Sequence, residues 1–86
     1  MSTGKVRARR QDLKAARVSL GLEQEQLAKA AGLNPMTIST FENGKTTPHE
    51  STREAIQGAL EARGIVFTNG DLPGFYFDKS KVIIPT

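Results

Sequence analysis

At 86 residues the chain has room for one domain around one small hydrophobic core, which excludes a multidomain enzyme with a deep cleft. It has no cysteine and a single histidine, so disulfides and thiolate zinc sites are excluded, and neither a metal nor a cofactor is expected. A net charge of +3 and a pI near 9.6 favour a polyanionic partner.

The charge is unevenly placed. Residues 1–17 hold Lys5, Arg7, Arg9, Arg10, Lys14 and Arg17 against Asp12 alone, a net of +5, and the remainder carries −2. Residues 1–9 read as a basic flexible N-terminal arm, 10–64 as a helical domain and 65–86 as a β-strand tail. No apolar run approaches the ~20 residues that span a bilayer, and the N-terminus lacks the apolar stretch of a secretory signal. The expected location is the cytoplasm, with no membrane partner.

In chain order, the first helix is predicted from about Arg10 to Leu20, because Leu13, Ala16, Arg17 and Leu20 recur on one face. Gly21 ends it. The second runs from about Gln24 to Ala31 with Leu27, Ala28 and Ala31 inward, and Gly32 stops it. The third opens at Asn34-Pro35, an N-cap followed by proline at the first helical position, where its missing N–H costs nothing. Ile38 and Phe41 are its apolar residues, and Gly44 follows. A fourth is predicted from His49 or Glu50 to Arg63, with Ile56, Ala59 and Leu60 inward. Gly58 inside it is either a weak spot or a close-packing point, since glycine lowers helix propensity by about 1 kcal/mol.

After Gly64 the period changes to two. Ile65-Val66-Phe67 and Phe75-Tyr76-Phe77 flank a turn-rich loop and read as a hairpin. Alternation sends Ile65, Phe67, Phe75 and Phe77 to one face and Val66 and Tyr76 to the other. A lone hairpin is marginal in water, so this one must pack on the helices, on a second subunit, or on both. Val82, Ile83 and Ile84 are candidates for a third strand that Pro85 would terminate.

The segment 24–44 has what two steeply crossing short helices need. Ala28 is small where they would touch, Gly32 tolerates positive φ in the turn, and Leu27, Leu33, Ile38 and Phe41 are bulky plugs. An ordinary helical hairpin inside another bundle would share this spacing. From residue 12 to 63, however, the chain resembles the Cro and repressor (Xre) class of bacterial and phage helix-turn-helix regulators. The matching residues are Leu13 to Arg17, Gly21-Leu22, Gln24 to Leu27, Ala28, Gly32, Ile38, Glu42-Asn43-Gly44-Lys45 and Pro48. The resemblance implies a mainly α fold, a four-helix phage-repressor-like helix-turn-helix domain followed by a short C-terminal β-hairpin.

It also implies a regulator of transcription rather than an enzyme, bound to double-stranded DNA at an inverted-repeat operator as a homodimer. RNA polymerase or a regulatory protein is a further expected partner, and a nucleoid-associated protein of bacterial or phage origin is the expected setting. The helix starting at Asn34 becomes the recognition helix, with Pro35, Met36, Ser39 and Thr40 facing base edges and Thr37 at the margin of that face. Gln24, Asn43 and Lys45 match phosphate contacts of the family, to which Thr37 is added. Arg7, Arg9 and Arg10 are candidate DNA-arm residues. Arg17 and Glu42 match a structural ion pair, in keeping with the expense of an unpaired charge on the apolar stripe of the first helix. The aromatic tail, Val66, Phe67, Phe75, Tyr76 and Phe77, is the candidate dimer interface.

Two departures qualify this picture. Glu23 stands where the family commonly caps with serine or threonine, and Glu23 and Glu25 place carboxylates close to the expected phosphate. The reading face also lacks arginine, glutamine and asparagine, which make bidentate base contacts. Both favour the rival reading, a protein-interaction module such as an antitoxin-like or anti-activator protein on the same scaffold. His49 reads as a solvated or capping residue, and no catalytic triad can be assembled from one histidine and scattered carboxylates.

Overall fold

The structure is a computed structural model that describes residues 6–45, 49–69 and 72–83. Four helices come first: α1 (Arg10–Ser19), α2 (Gln24–Ala31), α3 (Pro35–Asn43) and α4 (Glu50–Glu61). Strands β1 (Ile65–Thr68) and β2 (Gly74–Phe77) follow, then a 3₁₀ turn, Lys79–Lys81. The mainly α domain with its C-terminal hairpin agrees with the expected fold class.

One core joins all these elements except the terminal 3₁₀ turn. Leu13 and Ala16 of α1, Leu27 and Ala28 of α2, Ile38 and Phe41 of α3, and Ile56, Ala59 and Leu60 of α4 are buried together with Ile65 and Phe67 of β1. The 3.6-residue spacing of these apolar residues turns one stripe of each helix inward, and burial of that stripe is what stabilises helices this short. Ala28 is fully buried on α2, which packs against both α3 and α4, and its single methyl allows close approach. Gly32 then reverses the chain at φ +71°, a conformation that costs glycine little, and Leu33 N–H closes on Ala28 O at 2.8 Å.

The hairpin pairs antiparallel with Ile65 opposite Phe77, Val66 opposite Tyr76, Phe67 opposite Phe75 and Thr68 opposite Gly74. This register puts Ile65, Phe67, Phe75 and Phe77 on one face, as alternation required. That face turns to the helices, β1 against α4 and β2 against α1. The Phe67 and Phe75 rings lie 6.1 Å apart, tilted by 56°, within the range favoured by aromatic pairs.

Three expectations are revised. Val82 and Ile83 form no third strand; Asp78 accepts from Ser80 N–H at 3.0 Å and starts a 3₁₀ turn instead. Ile83 N–H bonds Ala62 O at 3.0 Å, so this stretch ties back to the end of α4. Ile84 and Pro85 lie outside the described residues. Phe67, expected at a dimer interface, is only 5% exposed and belongs to the monomer's own core, because its face of β1 is the one that α4 covers.

The third revision concerns the arm. Residues 1–5 lie outside the described residues, but 6–9 are docked on α4. Ala8 is buried, its N–H donates to Gln57 Oε1 at 3.0 Å, and Gln57 Nε2 donates to Val6 O at 2.6 Å. The side-chain amide thus holds two peptide groups of an extended segment, as a neighbouring strand would.

Candidate nucleic-acid interface

The start of α3 is set by local chemistry. Asn34 Oδ1 accepts from Met36 N–H at 2.8 Å, and Pro35 occupies the first helical position. Because Ile38 and Phe41 anchor the opposite side of α3, its first turn is left outside the body. Pro35 is exposed, Met36 is 72% exposed, and Thr37, Ser39 and Thr40 are half-buried along the same helix. The four expected base-reading residues and Thr37 therefore all keep solvent access, with Met36 the most prominent.

The last residue of α3, Asn43, and the loop after it, Gly44 and Lys45, are exposed. Gly44 lies at φ +69°, and a Cβ there would come within 3.1 Å of Arg10 Cζ, so the guanidinium lies directly against the glycine. Arg10 Nη1 also donates to Glu42 O at 3.3 Å. A cation at this helix end satisfies a late carbonyl and opposes the negative end of the helix dipole. Arg10, expected on a DNA arm, is therefore a C-terminal cap of α3 beside Asn43 and Lys45. Periodicity gave no sign of this, because the two groups are 32 positions apart.

Behind the loop, Glu42 joins three elements. Its carboxylate accepts from Arg17 Nε at 2.7 Å and Nη2 at 2.9 Å, and from Gln24 Nε2 at 3.0 Å. Arg17 Nη1 reaches Leu22 O at 2.6 Å. The Arg17–Glu42 ion pair implied by the resemblance is thus formed, with Glu42's side chain only 2% exposed. Gln24, expected to touch phosphate, spends one N–H on Glu42. Among the described residues its second N–H and its carbonyl oxygen find no partner, and the side chain is half-buried.

At the start of α2, Gln26 Oε1 accepts from Glu23 N–H at 2.8 Å, one arm of a capping box. Glu23 and Glu25 are exposed.

Arg7 and Arg9 are engaged elsewhere. Arg7 makes a two-pronged contact with Glu50, Nη2 to Oε1 at 2.8 Å, and Arg9 Nε pairs with Asp12 Oδ2 at 2.8 Å. Arg53 also binds Glu50 and donates to Gln57 Oε1 at 2.8 Å. Arg53, foremost, and Arg7 hold the Glu50 carboxyl at about 2, far below its usual value. Arg7 and Arg9 are therefore already engaged in ion pairs, Arg7 sharing Glu50 with Arg53, and Arg53 and Gln57, which local sequence pattern does not single out, anchor the arm. His49 is exposed at the N-cap of α4 with no side-chain bond to the helix. Pro48 lies outside the described residues.

Two short helices crossing at a glycine turn, the second presenting an exposed tip and followed by an exposed polar loop, form the scaffold of a helix-turn-helix DNA-binding domain. The helix-turn-helix family model matches residues 13–61, more than half of the chain. The chain belongs to the Cro/repressor-type helix-turn-helix family of DNA-binding transcription regulators. A comparison with curated protein sequences found no match. Among the described residues, no helix is long and apolar enough to cross a membrane.

Proposed function

We propose that the protein is a homodimeric, sequence-specific regulator that sets the first turn of α3 into the major groove at an inverted-repeat operator. The observation that carries this reading is the contrast along α3: Ile38 and Phe41 are buried while Pro35 and Met36 project, unhindered by any described residue. Pro35, Met36, Ser39 and Thr40 face base edges. Met36 and Thr40 suit thymine methyls, and Ser39 and Thr40 add adaptable hydrogen bonds. Gln24, Thr37, Asn43 and Lys45 hold phosphates and set the register. Glu42 orients Gln24, and Arg10 supports the loop carrying Asn43 and Lys45.

With no bidentate reader on this face, sequence preference rests on methyl contacts, bridging water and DNA shape. Glu23 and Glu25 weaken attraction to the duplex, so binding leans on the two-fold pairing of recognition helices about 34 Å apart. Val66 and Tyr76 support the pairing surface. They share the hairpin face turned away from the helices, and Tyr76 is 53% exposed. Phe75 is half-buried against the core, whereas Phe77 on the same face is 54% exposed and adds to the apolar surface of the hairpin.

Selection from random duplexes, followed by titration at increasing salt, tests the reading. A preferred inverted repeat with affinity falling steeply in salt is expected. Absence of any preferred duplex would favour the protein-interaction module, for which Glu23 and Glu25 are the best support. The dimer is tested by Val66→Glu with Tyr76→Glu in sedimentation, where loss of the dimer and weaker operator binding are expected. Truncation at residue 65 would be uninformative, since it strips Ile65 and Phe67 from the core.

A further inference from the structure

On the side of the domain built from the α1–α2 turn and the chain after β2 lies a cavity of about 490 Å³, lined by Leu20, Leu22, Arg63, Phe77, Lys79 and Val82. Its volume falls within the range of small-molecule sites. Among the described residues, four apolar side chains form its walls, two cations stand among them, and no acidic residue lines it. Arg63 spends Nη1 on Ala59 O at 3.3 Å and makes no ion pair among the described residues; nor does Lys79. The neighbouring carboxylate, Asp78, is bound to Ser80 through its N–H at 3.0 Å and its hydroxyl at 2.7 Å.

We propose that this cavity binds a small amphipathic anion, an apolar tail ending in a carboxylate, with the tail against Leu20, Leu22, Phe77 and Val82 and the head between Arg63 and Lys79. Apolar walls favour the tail by removing its surface from water, and a partly desolvated site strengthens the attraction of the cations for the head. Guanidinium adds a planar fork suited to a carboxylate.

The charge pattern also argues against a second copy as the occupant. Two-fold pairing centred here would bring Arg63 and Lys79 of both copies together with no carboxylate among the described lining residues to offset them. The site is independent of the DNA-contacting face and does not require that reading to hold.

Octanoate and octan-1-ol, titrated separately into the ¹⁵N-labelled full chain, test the proposal through backbone amide shifts. Octanoate is expected to shift amides around Leu20, Leu22, Arg63 and Val82 saturably, and octan-1-ol to bind the same site about tenfold more weakly or worse. Arg63→Gln with Lys79→Gln should lower octanoate affinity about tenfold while the spectrum stays folded. Equal binding of the alcohol, unchanged affinity in the double variant, or shifts scattered over the surface would each overturn it. Val82→Trp, which narrows the cavity and keeps both cations, should also weaken saturable binding. Unchanged affinity there would place octanoate elsewhere and sink the proposal.

Discussion

Arg17 of α1 grips Glu42 of α3 through two parallel hydrogen bonds, 2.7 and 2.9 Å, and so ties the first helix to the end of the third. Gln24 shares the same carboxylate at 3.0 Å, which brings the start of α2 into the same joint. Bidentate geometry fixes orientation as well as distance.

Removing one partner of this pair should be far worse than removing both. Arg17→Ala leaves Glu42 buried and short of charge compensation and is expected to cost about 3–5 kcal/mol. Arg17→Met with Glu42→Leu should recover most of that loss in urea denaturation. The double variant should nevertheless bind DNA less well than its stability suggests, because Gln24 loses its anchor. Simple additivity of the two single losses would contradict the coupling.

The two groups of contact residues should fail in different ways. Met36→Ala is expected to remove about 1 kcal/mol of discrimination between the preferred operator and a scrambled duplex, with the salt slope unchanged. Lys45→Ala should weaken both duplexes alike and reduce the slope of log affinity against log salt by about 0.9. Electrophoretic titration over a salt series distinguishes the two.

Glu50 sets an acid limit on the docked arm. Its carboxyl is depressed from 4.5 to about 2 by hydrogen bonding to Arg53 and then Arg7. A lowered folded-state value means the contribution is fully present above the unfolded value and fades as pH falls from 4.5 towards 2. Thermal unfolding of Glu50→Gln should therefore show a shallower loss of melting temperature across that window than the parent, and the two curves should run parallel above pH 6. A parallel course throughout would remove Glu50 from the account.

Gly58 resolves as a weak spot rather than a packing point. It lies inside α4, and a Cβ placed there meets nothing within 4 Å. Gly58→Ala is expected to stabilise the domain by about 1 kcal/mol, raising the melting temperature by about 4–8 °C with DNA affinity retained.

Helix α3 shows how much is legible in the sequence. Asn34-Pro35 at its start, Ile38 and Phe41 at helical spacing, and Gly44 at its end predict its limits and its buried face, since capping and periodicity act within a few residues. The exposed Pro35 and Met36 follow from the same pattern. The hairpin faces were equally readable from alternation. Which face would be covered was not, and Phe67 was placed at an interface when α4 had already claimed it.

The sequence by itself thus determined the helices, the glycine turn between α2 and α3, the strand faces and the apolar plugs, because each depends on neighbours within about one turn or one strand. Only the tertiary structure decided the partners of the charged and amide groups: Arg10 on the end of α3, Gln24 on Glu42, Arg7 on Glu50, and Gln57 on the backbone of Val6 and Ala8. The physical reason is that polar pairing is settled by which groups packing brings within about 3 Å, across separations of 18 to 51 residues that no local pattern spans.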